Sequence, residues 1–258
     1  MPTEPHLRDA YRARPQPPAG TSEPLFQLPR PVLALILLLV FFHFVPGVFI
    51  RDWEGWSTLL FAFIPARLSG AQTIAQVSGS AYWSMLTYGF LHADSLHLAV
   101  NSLWLAVFGT PVARCFGTLR FILISALATI GGAVASLLVH WGEYIILVGA
   151  SGAVSGLVGA SVPVIFAAGS IDRFSRAAKG AQLNVLPFAA LMRNQRALWF
   201  LAIWLFMTFF TGTTQLIVPT ALLEGRVIAW EAHLGGFLVG FACAYIFAPL
   251  SVSQAKRV

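Results

Sequence analysis

Four polar side chains in a largely apolar chain have the types and spacing for acyl chemistry. Ser151 stands in the turn Gly149-Ala150-Ser151-Gly152 at the head of one long apolar segment, and His233 stands near the head of another. A serine hydroxyl is a weak nucleophile until a neighbouring base takes its proton, and imidazole is the usual base near neutral pH. Both side chains are costly at membrane depth unless they face a cavity or each other. The second pair, His97 and Asn101, is spaced four apart, so on a helix the two share one face. Both can donate hydrogen bonds, as an oxyanion site requires. His92 precedes the regular helical pattern and is assigned to bracing the loop before it.

Glycines surround these groups. Gly149 permits a tight entry turn before the serine, and Gly152 after it leaves the backbone N–H open to a substrate. Gly152, Gly156 and Gly159 bare one side of the Ser151 helix. Gly236 and Gly240, three and seven residues after His233, bare the matching side of the other. Small faces let helices approach closely in lipid, and packing these two together is expected to bring Ser151 and His233 into contact. A β-branched side chain at Gly236 should then be more damaging than one at Gly240, a turn farther from the histidine. Glu231 lies two residues from His233, points elsewhere on a helix, and is left out of the working dyad.

The elements that must position these residues are membrane spans. The chain has 258 residues, 57% hydrophobic and 10% charged, with a mean hydropathy of +0.76. Soluble domains carry roughly 25% charged residues, so the surface of this chain must largely face lipid. Six segments approach the roughly 20 apolar residues that a span needs: 31–50, 83–108, 119–140, 151–168, 197–218 and 232–250. A shorter apolar stretch, 58–64, is bounded by Trp53, Trp56, Pro65 and Arg67 and reads as an interfacial loop. Residues 1–30, rich in Pro and Arg, read as a disordered cytoplasmic tail, residues 31–250 as the six-span domain, and residues 251–258 as a short cytoplasmic tail. The tail is too long and polar for the head of a cleaved signal peptide, so the first apolar segment is expected to stay as an anchor.

With the N-terminus inside, thirteen Lys and Arg fall on the cytoplasmic side and three (Arg51, Arg67, Arg226) on the other. That asymmetry puts both termini in the cytoplasm. Even-numbered spans then start at the outer leaflet, and His97, Ser151 and His233 all sit at that level. The +6 net charge serves topology, and no nucleic-acid partner is expected. Cys115 and Cys243 have neither metal-ligand spacing nor the look of a disulfide framework. There is no H-E-x-x-H and no Gly-x-Gly-Asp, which argues against other intramembrane proteases. No metal and no cofactor are expected.

The combination of His92, His97 and Asn101, then Gly149–Gly152, then His233 with Gly236 and Gly240, on the second, fourth and sixth spans, resembles the rhomboid intramembrane serine proteases from about Trp83 to Leu250. The resemblance implies an all-α membrane protein, a six-transmembrane-helix rhomboid-like bundle. It implies Ser151 as nucleophile and His233 as general base and acid. It also implies an oxyanion site from the Ser151 N–H with His97 and Asn101, a cap formed by 211–230, and transmembrane-helix substrates cut near the outer leaflet. Two positions depart from the pattern. Trp83 is followed by Ser84 where many members carry arginine, and Ser155 stands where an aromatic often stacks under the catalytic imidazole. The alternative is an inactive relative that binds client helices, which would be expected to lack the serine or the histidine. The expected partners are transmembrane protein substrates and the lipid bilayer, with the oligomeric state open. The expected location is a bacterial inner (plasma) membrane.

Overall fold

The computed structural model describes residues 28–69, 79–167, 184–217 and 229–248, with no side-chain detail for 211–217. Both tails apart from 28–30, and most of the expected cap, lie outside them. Among the described residues the regular structure is helical: α1 (Arg30–Phe44), α2 (Pro46–Phe49), α3 (Trp53–Phe61), α4 (Ser80–Thr87), α5 (Ser95–Val139), α6 (Ser151–Ile165), α7 (Phe188–Leu191), α8 (Gln195–Ile217) and α9 (Trp230–Ile246). The stretch expected as an interfacial loop at 58–64 is mostly the C-terminal part of α3. The helix carrying His97 opens at Ser95, not at Trp83, because Asp94 caps it: its Oδ1 accepts the His97 N–H at 2.8 Å. Residues 83–94 instead form α4, a single 3-10 turn (Tyr88–Phe90) and a short loop.

Among the described residues two helical stretches are long and apolar enough to cross a membrane, 30–49 with a mean hydropathy of 2.7 and 95–139 with 2.3. The second is a hairpin. Gly117 breaks the helix with φ 79° and ψ 173°, a conformation that glycine alone adopts readily. A Cβ on Gly109 would lie 3.2 Å from Phe121 Cε2, although twelve residues of straight helix would separate them by about 18 Å. The chain therefore turns back at Gly117, and the two arms of α5 correspond to the second and third expected spans.

Exposed apolar side chains coat the outside of the bundle, among them Leu103 and Leu138 on α5, Trp199 on α8 and Ile246 on α9. The shell around α6 has the opposite character. Every residue of α6 from Gly152 to Val164 is buried, and the helix packs chiefly against α5 and α9. Side chains such as Leu157, Ile124 and Phe237 fill the core between them, but the closest approaches fall at glycines. A Cβ on Gly236 would meet the Gly152 carbonyl oxygen, with the carbonyl carbon at 2.9 Å. One on Gly240 would overlap the Gly156 carbonyl and Cα. One on Gly159 would lie 2.5 Å from the Phe237 carbonyl oxygen. The α5–α9 seam repeats the device, with Gly235 set on the Gly131 carbonyl. The α8–α9 joint is built of aromatics instead, Trp204 stacking on Phe237 at 4.4 Å and Phe209 meeting Trp230 at 5.0 Å.

The segment after α3 is tied down as well. Phe63 and Leu147 exchange two backbone hydrogen bonds, at 3.1 and 2.9 Å, and Trp83 Nε1 donates to the Leu60 carbonyl at 2.7 Å. No arginine follows Trp83, yet this segment holds a buried one: Arg67 Nη1 donates to the Ala62 carbonyl at 3.0 Å.

Candidate active site

The loop before α6 is shaped by one residue that cannot be other than glycine. Gly149 has φ +120°, a region closed to ordinary side chains. Its missing side chain also makes room for a ring: a Cβ there would lie 2.6 Å from His97 Cε1 and 2.7 Å from His97 Nε2. Asn101 Nδ2 is 3.7 Å from the same point. The face of α5 that carries His97 and Asn101 thus abuts the loop two residues before Ser151.

Ser151 is the first residue of α6, behind an Ala150 cap that supplies no side-chain hydrogen bond. The first N–H groups of a helix have no intrahelical acceptor and carry its positive end. The Gly149 loop, against which His97 and Asn101 stand, leads directly into that end of α6. Asn101 is buried, and its Nδ2 has no hydrogen-bond partner among the described residues. A buried amide donor left unpaired costs about 1–3 kcal/mol. That is a large fraction of the stability of a typical domain and is understandable where a ligand atom is to be met.

His92 does more than brace its own loop. The Ala150 N–H points at His92 Nε2 at 3.5 Å, with that ring nitrogen as acceptor. Its centroid lies 5.1 Å from that of His97. His92 therefore links the two halves of the site.

Tyr88, which sequence reasoning passed over, is the other support. Its carbonyl accepts the Gly149 N–H at 3.0 Å, and its hydroxyl donates to the Thr129 carbonyl at 2.9 Å. That hydroxyl fills the space above two glycines, 2.6 Å from a Cβ on Gly152 and 2.7 Å from one on Gly132. The ring is the knob for which those two positions are hollowed. A tyrosine four residues before His92 is a weak signal by itself. Only the fold shows that both ends of the residue are used.

His233 is half-buried in the first turn of α9. Gly236, one turn along the same face, rests on Gly152, the neighbour of Ser151. The α6–α9 seam therefore sets the turn of α9 that follows His233 against the head of α6. Glu231 points away toward the end of α5, where its carboxylate accepts from Ser136 Oγ at 3.3 Å. Ser155 is buried within α6. Among the described residues no group of three or more His, Cys, Asp or Glu is placed to hold a metal.

Known proteins resemble this chain in sequence. The Rhomboid domain profile matches residues 79–250. The Rhomboid protease GluP of Bacillus subtilis is 37% identical over 115 residues, 43% of this chain and 21% of that protein. The mitochondrial RHOMBOID-like protein 6 of Arabidopsis thaliana is 38% identical over 84 residues, 33% of this chain and 27% of that protein. The alignments thus take in about a quarter of those relatives' own lengths. The Rhomboid protease AarA of Providencia stuartii aligns more broadly, at 27% identity over 242 residues, 87% of this chain and 75% of its own length. The matched span begins at the start of α4 and runs past the end of α9, taking in each element that positions His92, His97, Asn101, Gly149, Ser151 and His233, and it makes this chain a member of the rhomboid family, an integral membrane protein.

Proposed function

We propose that this protein is an intramembrane serine endopeptidase, with Ser151 as nucleophile and His233 as general base, acting on transmembrane-helix substrates near the outer leaflet. The observation that carries the reading is the unpartnered, buried Nδ2 of Asn101 beside the loop that delivers Ser151. In this reading His233 takes the Ser151 proton as Oγ attacks the scissile carbonyl. The oxyanion is met by the Ser151 N–H, Asn101 Nδ2 and the His97 ring. His233 then returns the proton to the leaving amine, and water hydrolyses the acyl-enzyme by the same route in reverse. A fluorophosphonate probe tests the reading: it should label the wild-type protein at Ser151 and leave His233→Ala unlabelled. Failure of the wild type to label, in folded protein, would favour a client-binding relative without activity.

The length of α6 supports the intramembrane site. Fifteen helical residues span about 22 Å, short of a hydrocarbon core about 30 Å thick. A central helix of that length begins below the outer surface, and water must reach it through a cavity. The six crossings in this reading are α1, the two arms of α5, α6, α8 and α9, with residues 1–30 and 251–258 as cytoplasmic tails. A bacterial plasma membrane suits the charge asymmetry.

Two further outcomes are expected. Asn101→Ala should lower kcat by on the order of 10²–10³, the usual loss for one oxyanion donor, and keep measurable turnover because other donors remain. His97→Ala should lower kcat as well, and wild-type rates in both variants would make the pair purely structural. A topology reporter fused after Val258 should read cytoplasmic, and an extracytoplasmic reading would overturn the outward-facing site.

A further inference from the structure

Glu231 is a carboxylate with 3% of its surface exposed, in the first turn of α9. Buried carboxylates are tolerated when paired and hydrogen-bonded, and this one has two partners on one face of α5. Ser136 Oγ donates to it at 3.3 Å. One turn on, His140 at the C-terminal cap of α5 holds Nε2 3.5 Å from Glu231 Oε1 and Nδ1 2.7 Å from Glu143 Oε2. A neutral imidazole has a single N–H, whereas the doubly protonated ring can donate to both carboxylates. Glu143 is itself anchored, its carbonyl accepting the Ala66 N–H at 3.1 Å. A continuous polar chain thus runs from the segment after α3 through Glu143 and His140 to the head of α9.

Two residues along a helix turn the side chain by about 200°, so Glu231 cannot reach the His233 ring. It acts on the helix that carries the ring. Close approaches of α9 to α5 and α6 are glycine on backbone, which fixes the distance between axes, while the large side chains that α9 sets into the core begin at Phe237, past its first turn. We propose that Glu231, gripped by Ser136 and His140, is the positioning residue that sets the height and rotation of the first turn of α9 and hence of the His233 imidazole. The proposal rests on the dyad reading given above.

The test uses the full-length protein in detergent and in liposomes. Glu231→Ala, Glu231→Gln, His140→Gln and the Glu231→Gln/His140→Gln double variant are compared for kcat, KM, fluorophosphonate labelling and melting temperature. Misplacing a catalytic group by about 1 Å can cost about 10²-fold in rate. Glu231→Ala should therefore lose about 10- to 100-fold in kcat with KM unchanged. Glu231→Gln, which keeps the Ser136 bond, should lose less. The double variant should be no worse than the poorer single, because coupled partners are not additive. Wild-type kcat in Glu231→Ala, or additive losses in the double variant, would overturn the proposal. Should Glu231→Ala fail to fold, the Glu231→Gln and His140→Gln cycle decides alone. His233→Ala reports separately: if it still turns over, both the dyad and the residue said to position it fall. If it is dead while Glu231→Ala is normal, the positioning role alone falls.

Discussion

Ser151→Ala should abolish cleavage while leaving the helical bundle assembled. The next hydroxyl along α6, that of Ser155, is buried a full turn deeper, and the Tyr88 hydroxyl is engaged with the Thr129 carbonyl, so neither stands in for a serine at the first residue. Losing the nucleophile or the base of a serine hydrolase costs on the order of 10⁶ in kcat, and removing both costs little more, because they act as a unit. His233→Ala should therefore match Ser151→Ala, and the double variant should be no worse. Trimming one hydroxyl or one half-buried ring leaves the glycine seams intact, so melting temperatures should stay close to wild type. Cleavage of a transmembrane substrate by each purified variant is the measurement. Turnover above a few per cent of wild type in either would sink the dyad.

Gly236→Val should be nearly inactive, and Gly240→Val nearly as damaging. Sequence spacing alone puts Gly240 a turn farther from His233 and predicts a milder effect there. The structure reverses that gradient for packing. A Cβ on Gly236 meets the Gly152 carbonyl oxygen, but one on Gly240 overlaps three backbone atoms of Gly156. Overpacking typically costs about 1–3 kcal/mol when side chains can shift, and here the obstacle is backbone on both sides. Gly240→Val should therefore lower the melting temperature at least as far as Gly236→Val. The rate should still fall further in Gly236→Val, because its displacement is applied one turn from His233. Rates and melting temperatures for the pair decide the matter. Normal turnover in Gly236→Val would mean that the α6–α9 seam does not hold the site.

The lines of the bundle were legible because lipid forces simple signals: long apolar runs and glycines at helical spacing. Gly236 and Gly240 could be paired with Gly152 and Gly156 from spacing alone, because only bare faces can bring two backbones so close. Tyr88 was not legible, since its use depends on hollows at Gly132 and Gly152 that lie far apart in the chain. The start of the His97 helix was misread for a local reason. Ser84, Thr87 and His92 are scattered through the mostly apolar stretch 83–94, so Asp94 does not stand out there as the cap that starts a helix. Arg67 was read as a charge on the outer side and proved to be a buried brace. The target of Glu231 was likewise hidden, because periodicity says which way a side chain leaves its helix and not what stands there.

The glycine seams also invert the usual logic of a mutational scan. In an ordinary core, truncation to alanine subtracts atoms and opens cavities. At the glycines where α6 meets its neighbours there is nothing to subtract, and alanine is an insertion: at Gly156 even a methyl group would overlap Ala128 Cβ. Tolerance there should be one-sided, with no smaller residue left to try. Any compensation must come from the partner helix retreating. Stabilising this protein by filling space, the common route for soluble domains, has no purchase at its centre, and gains must be sought at the aromatic joint with α8 or at the lipid-facing rim.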